Sequence, residues 1–101
     1  MLRSTAVLAT ASPDRDADEL LASLGRGSSV RMESANPSKS CLVFSFGVLA
    51  ILRRPTALVL IAAAADDISL GLVEDVVNRS VADLDWHFAS AEDRAVRLAA
   101  A

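Results

Sequence analysis

The stretch from Cys41 to Ala65, CLVFSFGVLAILRRPTALVLIAAAA, constrains this chain more than any other part of its sequence. It is apolar enough to suggest a membrane, but Arg53, Arg54 and Pro55 divide it into a run from Cys41 to Leu52 and another from Ala57 to Ala65. A spanning helix needs about 20 consecutive, mostly apolar residues, and neither run reaches that length. Two arginines near a bilayer centre would cost ~2.5–3.5 kcal/mol each on insertion scales. Proline there would also break the helical ladder. The stretch therefore reads as strands, at about 40–45, 48–53 and 57–64, with Gly47 at one corner and RRPT as the last connector.

Alternation within these strands poses a second question. Leu42, Phe44 and Phe46 share a face opposite Cys41, Val43 and Ser45. Leu58, Leu60 and Ala62 oppose Val59, Ile61 and Ala63, and Val48, Ala50 and Leu52 oppose Leu49, Ile51 and Arg53. A sheet with helices on one side only should carry polar residues on its other side. Here neither face is polar, so something is expected to cover both. Two helices can cover one face. The other is left to the C-terminal tail or to a second copy of the chain, since a large exposed apolar patch marks an interface. The residues expected at a dimer interface are Val43, Leu49, Ile51, Val59 and Ile61.

The flanking segments supply the helices. Residues 3–10 read as a first strand. Ser12-Pro13-Asp14 then gives a helix start, with a capping hydroxyl, proline at the first helical position and an acid at the positive dipole end. Ala17, Leu20, Leu21 and Leu24 follow on one face, and Gly25 suits the helix end. Residues 27–34 alternate as a half-buried strand, and ANPSK is turn chemistry. Asp66-Asp67 caps a second helix whose stripe is Leu70, Val73, Val76, Val77, Val81 and Leu84, with Glu74, Asp75, Asn78, Arg79 and Asp83 mostly opposite. Gly71 inside it costs roughly 1 kcal/mol against alanine. Ser90 with Asp93 resembles a capping box for a short helix in the tail.

The expected architecture is α+β in a single domain over residues 1–101, with a core from about 3 to 86 and a tail from 87 to 101. It comprises a five-stranded antiparallel sheet with two helices on one face, in the order β-α-β-β-β-β-α.

Chemistry is harder to find. A net charge of −3 and a pI near 4.9 have the wrong sign for gripping phosphate backbones, so no nucleic-acid partner is expected. His87, flanked by Trp86 and Phe88, is the single histidine and has no sequence-level triad. It reads as a surface or packing residue. Cys41, the single cysteine, excludes an internal disulfide and reads as a buried thiol. One histidine and one distant cysteine offer no metal spacing. The acids Asp14, Asp16, Asp18 and Glu19 suit a helix start rather than a cation loop. GRGSS at 25–29 follows a helix instead of opening one, unlike a phosphate cradle. Arg53 and Arg54 read as a charged hairpin tip that blocks edge aggregation, or as a small docking patch for an acidic partner. The apolar start, Ala6 to Ala9, is shorter than a secretory h-region of about 7–15 residues, so a cytoplasmic protein is expected. No catalytic residues, cofactor or membrane partner are expected, and a small-molecule ligand stays unknown.

Two motifs carry a family resemblance: Phe44-Ser45-Phe46-Gly47 at a corner, and Leu72-Val73-Glu74-Asp75-Val76-Val77 in the second helix. With STAVLAT before the first helix, they resemble the bacterial domain-of-unknown-function family 2218, small proteins also found beside or fused to siderophore-interacting flavoproteins. The resemblance covers residues 3 to about 86. It implies a tie to iron or siderophore metabolism, and with the doubly apolar sheet the expectation is a non-catalytic accessory or interaction domain acting as a homodimer. The family's histidines near the end of the first helix and after the EDVV segment are absent here, where LLASLGRGSS and Ser80 stand, so no histidine role carries over. The element order also resembles half of the TATA-binding-protein fold. The alternative function is a small apolar-ligand-binding domain with a pocket between helices and sheet.

Overall fold

The computed structural model describes residues 2–24, 31–36, 39–81 and 84–88, with residues 31–36 and 88 described by their backbone alone. The elements in chain order are β1 (Leu2–Ala9), α1 (Pro13–Leu24), β2 (Arg31–Asn36), β3 (Lys39–Phe44), β4 (Gly47–Arg54), β5 (Ala57–Ala64), α2 (Asp67–Ser80) and β6 (His87–Phe88). The strands form one antiparallel sheet in the order β2-β3-β4-β5-β1-β6. The chain is thus α+β, and its described residues form two helices and a six-stranded sheet where five strands were expected. The addition is β6, which falls in the expected tail and pairs only Ser4 with Phe88 and Thr5 with His87. The proposed capping box at Ser90 and Asp93, the Gly25 helix end and GRGSS lie outside the described residues.

Both helices pack on the same side of the sheet, α1 over β4 and β5, and α2 over β5, β4 and β1. Under them lie Leu42, Leu49, Ile51, Leu58, Leu60, Ala62 and Ala64, met by Ala17, Leu20 and Leu24 from α1 and Leu70, Val73 and Val77 from α2. Leu49, Ile51, Leu58 and Leu60 are fully buried. Each such side chain contributes roughly 1.5–3 kcal/mol of transfer free energy, and this layer is the main source of stability.

Local chemistry seats the helices. At the start of α1 the Ser12 carbonyl accepts the Asp16 N–H at 3.0 Å. The Thr10 hydroxyl donates to the Asp16 carboxylate and accepts the Ser12 N–H at 3.0 Å. Asp66 caps α2 from an extended conformation, its carboxylate accepting the Ser69 N–H at 2.7 Å. The helix ends at Ser80 with the Val81 N–H on the Val77 carbonyl at 3.1 Å. It therefore stops short of the last two residues of the expected stripe. Val81 is 36% exposed, and Leu84 reaches the core from beyond the helix.

Gly47, where β4 begins, is required by space. A Cβ there would stand 2.6 Å from the Ala63 carbonyl oxygen and 2.7 Å from Val73 Cγ2. Sheet and helix approach too closely for any side chain.

Candidate interaction surface

Cross-strand register decides what the side of the sheet away from the helices presents. Directly opposed residues share a face, so three rows cross it. They are Val43–Val48–Ala63–Arg3, Cys41–Ala50–Ile61–Thr5 and Lys39–Leu52–Val59–Val7, with Ala57 and Ala9 beside Arg54 at one end. Val43, Val48, Ala50, Leu52, Val59, Ile61 and Ala63 are only partly buried, and Val7 is 61% exposed. The middle of this face is therefore apolar, and among the described side chains Arg3, Lys39 and Arg54 stand around it. Cys41, expected as a buried thiol, sits partly exposed among these residues.

The five residues expected at the interface divide between the two faces. Val43, Val59 and Ile61 stand on the open one. Leu49 and Ile51 do not: they align with Ala62 and Leu60 across the β4–β5 ladder and are fully buried beneath the helices. That expectation is corrected. An antiparallel register joins Ala50 to Ile61 and Leu52 to Val59, so the open face takes the even-numbered residues of β4 but the odd-numbered ones of β5. Parity cannot be carried from strand to strand without the turn length that fixes it.

The Arg53–Arg54 pair is divided too, and does not form one patch. Arg54 is exposed on the open side, but Arg53 turns under α1 with its side chain 19% exposed. Its guanidinium donates to Asp14 at 3.2 Å and Asp18 at 2.9 Å. Burial opposes its charge, but the two carboxylates outweigh that and hold its pKa above the ordinary arginine value. These bonds also account for two of the four clustered acids. Asp16 is bonded by Thr10, and Glu19 lies 3.6 Å from Arg15. Among the described residues no three histidine, cysteine, aspartate or glutamate side chains gather as a metal site.

His87 is exposed, with Nε2 3.3 Å from Asp85 Oδ2. It stands at the sheet edge opposite Thr5 and is paired there through its backbone.

Two features escaped the sequence reading. Glu74, placed by periodicity on the outer side of its helix, is 8% exposed and accepts a hydrogen bond from the fully buried Ser4 hydroxyl at 2.6 Å. One turn on, Asn78 Oδ1 accepts both the Leu84 N–H and the Trp86 indole N–H, each at 3.1 Å. Residues at i and i+4 share a helix face, so Glu74 and Asn78 form a polar strip on α2 beside β1. The serine at position 4, a small polar residue amid strand hydrophobics, is the one signal that could have pointed to it. Separately, a cleft of about 320 Å³ opens between β1, α1 and the end of α2, lined by Leu8, Asp16, Glu19, Leu20, Ser80 and Val81.

Among the described residues no helix is long and apolar enough to cross a membrane. No family model matches the chain, and no curated protein does. Its fold is similar to that in the NMR structure of PA4090 from Pseudomonas aeruginosa, with a TM-score of 0.61 at 23% identity over 90% of this chain and 98% of that one. The likeness establishes a shared fold.

Proposed function

We propose that this chain is a non-catalytic interaction domain that acts as a homodimer, with the open face of its sheet packed on that of a second copy. The observation that carries this reading is the apolar centre formed by Val43, Val48, Leu52, Val59 and Ile61, partly exposed, with the polar side chains of Arg3, Lys39 and Arg54 at its margin. An apolar centre with a polar rim is the anatomy of an interface. The two FSFG and LVEDVV motifs support membership of the domain-of-unknown-function family 2218, and with it a cytoplasmic accessory role in bacterial iron or siderophore metabolism. The placement of β1 beside β5, with both helices on one side, supports a half-TATA-binding-protein-like topology. Mass measurement in solution tests the dimer. The wild type is expected as a dimer and Ile61→Glu as a folded monomer. A monomeric wild type refutes the proposal, and a dimeric Ile61→Glu moves the interface elsewhere.

A second reading, a small apolar-ligand-binding domain, rests on the cleft between β1, α1 and α2. Its lining, which joins Leu8, Leu20 and Val81 to Asp16 and Glu19, suits an apolar molecule with a cationic head. Short alkylamines should then raise the melting temperature where alkyl carboxylates of equal length do not. Equal effects from both series, or none, would remove this reading.

A further inference from the structure

The segment from Leu84 to Phe88 is held to the fold in an unusual way. β1 pairs with β5 over its full length, Leu2–Ala64 through Ala9–Ala57, and among the described residues with β6 at Ser4 and Thr5. The remaining described attachments converge on one atom. Asn78 Oδ1 accepts the Leu84 backbone N–H and the Trp86 Nε1–H, which fills both lone pairs of that oxygen. Leu84 and Trp86 pack on the core but are only partly buried. Beside this segment lies the Ser4–Glu74 hydrogen bond, in which Ser4 is the residue that faces Phe88 across the ladder.

We infer that residues 84–88 form a releasable strap over the outer edge of β1, with Asn78 as its latch. An edge segment paired on one side, with partly buried anchors, opens at lower free energy than strands paired on both sides. Because a single side-chain oxygen accepts both remaining bonds, strap and latch come apart together. Opening frees the backbone edge of Ser4 and Thr5 and admits water toward the Ser4–Glu74 pair, while β5, β4 and β3 stay paired. Asn78 is a positioning residue here, acting through the two donors it holds.

The chain carries its own reporter, because Trp86 is the single tryptophan and there is no tyrosine. Tryptophan emission and amide hydrogen exchange on the full chain would be compared for wild type, Asn78→Ala and Asn78→Asp. In the wild type, amides at 4–5 and 84–88 are expected to exchange faster than those of β4 and β5. Asn78→Ala should speed the strap amides by about tenfold or more and shift Trp86 emission to the red, with β4 and β5 unchanged. Asn78→Asp, which keeps an acceptor oxygen at that position, should restore most of both signals. Strap amides that exchange only with β4 and β5 in the wild type would overturn the inference. So would an Asn78→Ala variant that leaves Trp86 emission in place, or one that accelerates the whole sheet equally.

Discussion

The two faces of this sheet use the same few residue types, leucine, valine, isoleucine and alanine, to different ends. Under the helices, Leu49, Ile51, Leu58 and Leu60 reach complete burial, and two of the buried polar residues admitted there, Ser4 and Glu74, are bonded to each other. On the opposite face, Val48, Leu52, Val59 and Ile61 keep contact with solvent, and Arg3, Lys39 and Arg54 stand around them unburied or partly so. Hydrophobicity alone does not distinguish a face that holds a chain together from one that can join two chains. The distinction comes from what the rest of the chain brings over each face.

The sharpest way to break this comparison is to cut neighbouring residues of β5. Leu60→Ala should lower the unfolding free energy by about 3 kcal/mol in a urea titration, from lost transfer and an unfilled cavity. Ile61→Ala, one residue away, should cost the isolated monomer less than about 1 kcal/mol. Equal losses would mean that the outer face is as covered as the inner one. A smaller effect probes the buried polar pair. Ser4→Ala removes a hydrogen bond from the Glu74 carboxylate and should cost about 1–3 kcal/mol, again by denaturant titration. An unchanged midpoint would show that Glu74 does not depend on Ser4.

The adjacent arginines give the next contrast. Arg53→Ala should destabilise by about 1 kcal/mol or less, because Asp14 and Asp18 are mostly exposed, and the loss should shrink in high salt. Arg54→Ala should leave the melting temperature unchanged. The smallest effect concerns the cap that seats α2 on the inner face. Hydrogen bonding from Ser69 lowers the Asp66 pKa below its ordinary value of 3.8. A depressed carboxylate pKa contributes stability that is present above the unfolded value and lost as pH falls through the folded one. The melting temperature of Asp66→Ala should therefore lie below wild type at neutral pH, and the gap should close as pH falls below about 4. A gap that persists in acid would place the cap's contribution outside its charge.

Much of the frame was legible because local chemistry and global packing agree. Pro13 starts α1, Asp66 caps α2, and β5 occupies residues 57–64 as its uninterrupted apolar run predicts. The departures fall where a partner distant in sequence decides. Whether Ala50 or Ile51 faces outward depends on the ladder to β5, which alternation within one strand does not encode. Glu74 is buried where Ser4, at the other end of the chain, offers it a hydroxyl. Arg53 turns under α1 because two acids await it there, while the same residue type at 54 faces solvent with no acidic partner among the described residues. β6 is a strand only because β1 leaves it an edge, and two residues carry no periodicity of their own. On the candidate surface, Val43, Val59 and Ile61 could be read from alternation, but the β4 contribution needed the register.

Gly47 bears on how the helix finds its place. Two contacts exclude a Cβ at this corner, the Ala63 carbonyl oxygen on the neighbouring strand and Val73 Cγ2 on α2, so the missing side chain is in part a keyway for one particular turn of α2. Sliding the helix by one residue would bring Leu72 or Glu74 to that slot and carry Glu74 out of reach of the Ser4 hydroxyl. A single absent carbon thus ties the alignment of the helix to the polar pair near the opposite edge of the sheet. The open face can be rewritten freely without touching that alignment, whereas position 47 has no synonym.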